Sequence, residues 1–424
     1  MRLPPRPLAL GALLLGCGGA AGAQEHAMHG HPAGTGGVAW SVGAQAIPLV
    51  TRADPAFLGQ AKTEAYLTQP AVMAHLSAWG GRATLQGTLN LEGATLRRGE
   101  LNAGIWGEGY VDRRHPHTYL HELVAGVSPL GSAESRAELS LVAGKGFAPF
   151  GTDDPMVRPL VKYPLNHHLS QVLERVVAIV AARGGPLTLE AALFNGDEPE
   201  SPTDLPNWER FGDSHAFRAT LAPLAGAEAS ASFAAVRSPE QAGGGGADQH
   251  KWNAALRWER GDGAGRRTYA LAEWARTDDR VRGHTTFRYP SLLGEAALRR
   301  RGVEAALRWE RTVRPEEERL LDPFRAPRPH TDLSILGRTR WTVLTAGLSA
   351  QARPFAALGV RPFVEVARLH AATVERTAAF DPEGFYGSDR MWSLSAGARV
   401  EAGTLHARMG RYGAAAGGHA RHAH

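Results

Sequence analysis

The chain has 424 residues, of which 43% are hydrophobic and 21% are charged, with 50 glycines and 27 prolines. This composition is that of an ordered protein and excludes a wholly disordered chain. The formal charge of +5 comes from basic residues that alternate with acidic ones instead of forming a patch, so no nucleic-acid partner is expected.

The first 23 residues predict a cleaved secretory signal peptide. Arg2 and Arg6 form a basic start, residues 8–16 form a short apolar core, and Ala21-Gly22-Ala23 provides the small residues that a signal peptidase needs. The apolar core is too short to cross a bilayer as a helix. Cys17 is the single cysteine, and cleavage after Ala23 removes it with its thiol chemistry. Lipidation of Cys17 at a loose lipoprotein-like site is the alternative.

Residues 38–413 predict an all-β fold, one transmembrane antiparallel β-barrel. Segments of about ten residues alternate apolar and polar side chains, as strands with one apolar and one polar face do. The clearest segments are 82–93, 249–260, 303–310 and 392–400. Charged residues lie in the middle of the polar faces and Trp or Tyr lie near the segment ends, which indicates a wet lumen and two lipid–water interfaces. A soluble β-sandwich also alternates and is the alternative.

Short turns alternate along the chain with longer polar loops. The longer loops are predicted at 148–167, 196–214, 238–248, 278–288, 314–337 and 373–389. Short periplasmic turns and long extracellular loops are typical of a bacterial outer-membrane barrel, and we predict about 16 strands, within a range of roughly 14 to 18. If every short turn is periplasmic, a last strand at Thr404–Tyr412 would run outward and leave the C-terminus at the extracellular rim. One strand is therefore split or merged wrongly in this count, and we expect that error to lie within Leu333–Ala372.

A short motif carries a resemblance to a known family. Residues 141–151 read Leu-Val-Ala-Gly-Lys-Gly-Phe-Ala-Pro-Phe-Gly. This resembles the strand-to-loop segment of the outer-membrane porin superfamily that includes phosphate-selective and siderophore-associated porins. The resemblance implies a sixteen-stranded barrel, a homotrimer, and passage of small solutes. It does not extend to phosphate selectivity, because the inward Arg and Lys positions of this chain are interleaved with Glu.

The leading functional hypothesis is a porin-like channel in outer-membrane lipid for passive diffusion of small hydrophilic solutes. Loop 148–167 is expected to fold inward and set the narrowest point of the lumen. The candidate constriction residues are Arg113, Arg114, Asp153, Asp154 and Arg158.

Histidine is the unusual chemistry of the chain, and it suggests an alternative function. Imidazole suits copper and zinc, so the alternative is an outer-membrane protein that binds one of these metals, although no cofactor is required for a channel. The metal-ligand candidates are His115, His117, His121, Glu122, His167 and His168, together with His26, His29 and His31 of the Gly-rich segment 24–37. That segment and the His-rich tail 414–424 are expected to be disordered. On an ideal strand His117 and His121 share a face, with about 7 Å between successive members of the face, and lie too far apart for one ion unless the backbone bends at Pro116.

An enzyme is the least favoured class. Ser170, His168 and Glu174 lie close in sequence, but strand geometry does not bring them into a recognisable triad. The sequence contains no Gly-x-Ser-x-Gly, no His-Glu-x-x-His and no phosphate-binding glycine loop.

Overall fold

The computed structural model describes residues 37–57, 59–96, 117–262, 265–317, 335–355, 357–375 and 381–416. The dominant element is one antiparallel sheet of seventeen hydrogen-bonded segments. The first nine are β1 (Ala39–Phe57), β2 (Gln60–Ala78), β3 (Ala83–Asn90), β4 (Leu120–Leu130), β5 (Ala137–Gly146), β6 (Arg175–Gly184), β7 (Leu187–Phe194), β8 (Ser214–Leu224) and β9 (Ala227–Val236). The others are β10 (Asp248–Gly261), β11 (Arg267–Val281), β12 (His284–Arg300), β13 (Val303–Glu317), β14 (Ile335–Ala350), β15 (Ala352–Phe355), β16 (Leu358–Thr373) and β17 (Arg390–Gly403).

The sheet closes on itself. Each strand pairs with the next along the chain, and β17 pairs with β1 from Gly43↔Gly403 to Asp54↔Trp392. Segments β14 and β15 both pair with β16 and are two parts of one strand interrupted at Gln351. The barrel therefore has sixteen strands, which confirms the predicted architecture. Closure removes the two free edges that an open sheet would have, so the backbone polar groups in the middle of the described wall are satisfied within the wall.

Connection lengths differ between the two rims. One rim carries the short connections 79–82, 131–136, 185–186, 225–226, 262–266, 301–302 and 356–357. The other carries the long connections 91–119, 147–174, 195–213, 237–247, 318–334 and 374–389, with two tight turns among them. The predicted loop 278–288 is wrong: β11 and β12 continue to a two-residue turn at Arg282 and Gly283. Both residues have positive φ, 49° and 82°, as the hairpin turn that matches strand twist requires.

The predicted last strand at Thr404–Tyr412 is also wrong. The wall ends with β17 at Gly403, and residues 404–416 turn back into the lumen, where Met409, Tyr412 and Ala414 are buried. The error in the predicted strand count therefore lies in this segment and not in Leu333–Ala372. With sixteen strands, the chain enters and leaves the wall at the same rim.

Side chains alternate between an apolar outer face and a polar inner face. In β10, Leu256 points outward with 64% of its surface exposed, whereas Lys251 and Asn253 point inward and are buried. The same division holds in β3, β13 and β17, which confirms the facing predicted for all four segments. Three short helices lie in the connections between strands and are not part of the wall: α1 (Glu92–Thr95), α2 (His167–Ser170) and α3 (Pro382–Tyr386). None of the helices among the described residues has the length and hydropathy of a membrane span.

The outer face leads to a first prediction. Leu256 lies near the middle of β10, whereas Val281, 47% exposed, lies at the end of β11 beside the rim. In lipid, we expect Leu256→Arg to lower the free energy of unfolding by about 2–4 kcal/mol and Val281→Arg by about 0–1 kcal/mol, because an arginine is tolerated near the interface. Urea titration of the protein folded into vesicles measures both. Equal losses for the two variants would contradict the assignment of this face to hydrocarbon.

Candidate functional site

Residues 147–174, called here the lumen loop, leave the wall after β5 and cross the inside of the barrel. Its two ends run side by side, since Ala148 N–H donates to the Val172 carbonyl oxygen at 2.9 Å. Gly151 has φ +72°, and a Cβ atom there would lie 1.6 Å from the Ser170 carbonyl oxygen. The glycine of the porin-like motif is thus required at the crossing of the two ends. Phe147, Phe150 and Met156 join the apolar cluster against β4–β9.

Carboxylates of the far wall hold the tip of the lumen loop. Glu365 of β16 accepts the backbone N–H groups of Val161 at 2.6 Å and Lys162 at 3.0 Å. Glu310 of β13 accepts the N–H of Leu165 at 2.6 Å. A hydrogen bond inside a protein contributes roughly 0.5–1.5 kcal/mol, so these three bonds together fix the tip to the inward polar face of the strands.

Three of the five constriction candidates lie in the lumen loop; Arg113 and Arg114 lie outside the described residues. Arg158 donates to Thr152 Oγ1 at 2.7 Å and lies 3.8 Å from Glu273 of β11. Asp154 accepts the N–H of Met156 at 2.8 Å and so caps a single helical turn. Burial raises the pKa of Asp154.

Asp153 faces the other way, toward the segment that follows β17. Its carboxylate lies 2.5 Å from Arg408 Nε and 3.7 Å from Arg257 Nε. Burial would raise the pKa of Asp153, but the charges of Arg408 and Arg257 outweigh it and hold the pKa below its usual value. Asp153 is therefore an ionised link between the lumen loop and the segment that follows β17.

Residues 404–416, called here the C-terminal segment, fill the part of the lumen lined by β5–β9. Arg411 Nη2 donates to Glu228 of β9 at 3.0 Å, and Arg218 of β8 donates to the Gly410 carbonyl oxygen at 2.8 Å. Tyr412 Oη accepts the Phe147 N–H at 3.0 Å. Sequence reasoning missed this role because Leu405, Ala407 and Met409 alternate as strand residues do.

A cluster of His117, His121 and Glu174 lies where the lumen loop returns to the wall. Nδ1 of His117 is 3.0 Å and Nδ1 of His121 is 2.5 Å from Glu174 Oε1. The N–H and hydroxyl of Thr118 donate to Oε2 at 2.9 Å and 2.7 Å. Glu174 has φ +61°, an uncommon conformation for a residue with a side chain, and such strain is often kept at functional sites.

The spacing of an ideal strand does not hold for these two histidines. The β3–β4 register passes from Thr88↔Glu122 to Leu89↔Leu120, so that His121 is the extra residue of a bulge. A bulge re-aims a side chain, and here both His121 and Glu122 are fully buried. His117 precedes β4, and its ring centroid lies 5.1 Å from that of His121.

The electrostatics of the cluster favour a charged pair in the absence of an ion. Burial alone would lower the pKa of His117, but the hydrogen bond and charge of Glu174 raise it to about 9. Burial would raise the pKa of Glu174, but the charge of His121 and the hydrogen bonds of both histidines hold that pKa well below its usual range. Burial, aided by His168, lowers the pKa of nearby His167 well below its usual value.

The other metal-ligand candidates are placed differently. His167 is buried with its ring centroid 6.0 Å from that of His117, and 4.9 Å from that of His168. Glu122 accepts from Gln86 and Thr88 at 2.8 Å and 3.0 Å, away from the cluster. His26, His29, His31 and His115 lie outside the described residues. Glu174, the acidic member of the cluster, could not be assigned to it from the sequence, because Glu174 lies just before β6 and β5 separates β6 from β4.

The link through Asp153 leads to a second prediction. Asp153→Asn removes one of two carboxylates that neutralise Arg408, and loss of one partner from a buried ion pair lowers stability by about 3–5 kcal/mol. We expect partial release of the C-terminal segment and faster tryptic cleavage after Arg408 and Arg411. Asp154→Asn is the matched control, since Asp154 is buried beside Asp153 but bonded to Met156. Identical cleavage rates in both variants and the parent chain would contradict the link.

No family model and no curated protein matches the chain. Among solved structures, the anion-selective porin from Comamonas acidovorans is similar with 9% identity and a TM-score of 0.48, over 87% of this chain and 100% of that one. OprB of Pseudomonas putida is similar with 11% identity and a TM-score of 0.48, over 87% and 94%. A loop-deletion mutant of OmpT, an outer-membrane protein of Vibrio cholerae, has 9% identity and a TM-score of 0.47, over 86% and 99%. The architecture itself rests on the strand pairing described above.

Proposed function

We propose that the chain forms a porin-like outer-membrane channel with a narrow lumen, through which small hydrophilic solutes diffuse passively. The observation that supports it is the combination of a closed wall, apolar outside and charged inside, with a loop anchored across the interior. A soluble barrel would present the opposite arrangement, with polar residues facing outward.

The outer surface supports a lipid environment. Large apolar side chains are exposed along nearly every strand, far more than the surface of a soluble monomer carries. Examples are Leu85, Leu89, Val127, Leu141, Val180, Leu193, Phe217, Leu256, Leu292, Leu307, Leu344, Val364 and Leu394. In water such a surface would drive aggregation, whereas in a bilayer it faces hydrocarbon.

The lumen at the short-turn rim supports passage of small polar solutes. Arg267 and Glu259 form an ion pair at 2.7 Å and keep 24% and 25% of their side chains exposed. Arg361 and Glu401 are also paired, with 12% and 18% exposed. Because arginines and glutamates face each other there, the lumen at this rim offers a polar path that is not lined by charges of a single sign.

The membrane partner and the assembly belong to the same proposal. The signal peptide and outward apolar face support export to the outer membrane, and the loop-motif resemblance supports a homotrimer. Light scattering in detergent, with the mass of bound detergent subtracted, gives the number of copies. A monomer would remove the trimer while leaving the channel intact.

The lumen loop leads to a third prediction. Since Ala148 and Val172 are hydrogen-bonded, residues 152–169 can be replaced by a short Gly-Ser linker without opening the wall. We expect the parent chain to give discrete conductance steps in planar bilayers, and the shortened chain to give steps at least about twofold larger, because the loop narrows the lumen.

The control for this measurement is Asp262→Asn, a substitution at the exposed rim. Its steps should match those of the parent. A folded, heat-modifiable parent chain that stays silent, together with a silent shortened chain, would sink the channel proposal.

A further inference from the structure

We propose that His117, His121 and Glu174 form a binding site for one transition-metal cation, Zn²⁺ or Cu²⁺, inside the barrel. One ligand atom from each of the three side chains lies within 4.8 Å of the others. Two imidazoles and one carboxylate are the ligand types that zinc and copper accept, whereas Mg²⁺ and Ca²⁺ prefer oxygen alone.

The ring geometry fits an ion between the histidines. Two imidazoles on a tetrahedral ion, with metal–nitrogen distances near 2.0–2.1 Å, have ring centroids about 5 Å apart. The centroids of His117 and His121 are 5.1 Å apart, at an interplanar angle of 73°. Both Nδ1 atoms converge on a single oxygen, Glu174 Oε1. Ligand atoms on such an ion lie about 3.3 Å apart, so each of the two distances from Nδ1 to Oε1 would lengthen by less than about 1 Å to admit it.

The carboxylate is oriented for this role. Its Oε2 is taken by the N–H and hydroxyl of Thr118, and Lys145 Nζ lies 3.9 Å from the same oxygen. Oε1 therefore remains directed at the two imidazoles. Hydrogen bonds that hold a ligand in place in this way are the usual support of a metal site.

Several imidazole nitrogens in and beside the cluster have no hydrogen-bond partner among the described residues. They include His121 Nε2 and both ring nitrogens of His167, which are buried. His167 is 3% exposed and its ring centroid is 6.0 Å from that of His117. A small movement of the lumen loop would bring His167 in as a fourth ligand. Unsatisfied buried polar atoms are costly, and an ion bound by His167 would satisfy one of its two ring nitrogens.

The site joins three parts of the chain: the residues before β4, the bulge within β4, and the returning end of the lumen loop. An ion there would fix the loop relative to the wall. The inference rests on the geometry of the cluster and not on conduction, so either proposal can fail alone: a silent barrel that binds Zn²⁺ retains the site, and a conducting barrel without the site retains the channel.

The test is Zn²⁺ binding to the folded, full-length barrel, measured by equilibrium dialysis with metal analysis. The parent should bind one ion more tightly than its terminal histidines do. Glu174→Gln and His121→Asn should each weaken that ion by at least about 100-fold, since each removes a ligand or its charge. His284→Asn, an exposed rim histidine, is the matched control and should bind as the parent does. Equal binding by all four chains would overturn the site.

A spectroscopic measurement on the parent chain tests the site even if the variants fold poorly. Co²⁺ loaded into the parent should give the intense visible bands of a four-coordinate ion, and excess Zn²⁺ should abolish them. Weak bands typical of six water-like ligands, unchanged in heat-unfolded protein, would assign the metal to the histidines near the two ends of the chain and remove the proposal.

Discussion

The closed ring of backbone hydrogen bonds is the constraint on which the rest of this protein depends. Because β17 pairs with β1, every second side chain of the wall must face an enclosed space that the chain has to fill or wet. Inward Glu and Arg residues cannot all face water there, and many of those that the structure describes have a partner from a neighbouring strand, the lumen loop or the C-terminal segment. Arg308, fully buried between Glu295 and Glu310 at 3.0 Å and 2.7 Å, is the clearest case.

The same constraint explains how a loop rich in polar backbone groups can cross the barrel. A buried loop needs partners for its N–H groups, and inward carboxylates on β13 and β16 provide them. The charges that the wall must place inside are therefore the charges that position the lumen loop. Positioning of the loop in turn brings Glu174 beside His117 and His121, so the histidine cluster depends on the same inward face.

Much of the wall could be predicted from the sequence, because the apolar–polar alternation of a strand is a local property. The facing of β10 and β13 follows from their side chains alone. The bulge at His121 could not be predicted, since it depends on the register with β3. The prediction of a strand at Thr404–Tyr412 fails for a related reason. The alternation of that segment is local, whereas the carboxylates that hold Arg408 and Arg411 inside the barrel, Asp153 and Glu228, lie far away in sequence.

The position of the C-terminal segment has a consequence for the order of assembly. Its partners are supplied by the lumen loop and by β7–β9, and its own attachment to the wall is the last strand. The contacts of this segment with Glu228 and Phe147 close loops of 183 and 265 residues, which are shorter than the loop closed when Gly403 pairs with Gly43. Loop closure therefore costs less for docking of the C-terminal segment than for the meeting of β17 with β1. A segment that docks first would hold β17 close to the strand it has to join, so the inside of the barrel would help to close its own wall.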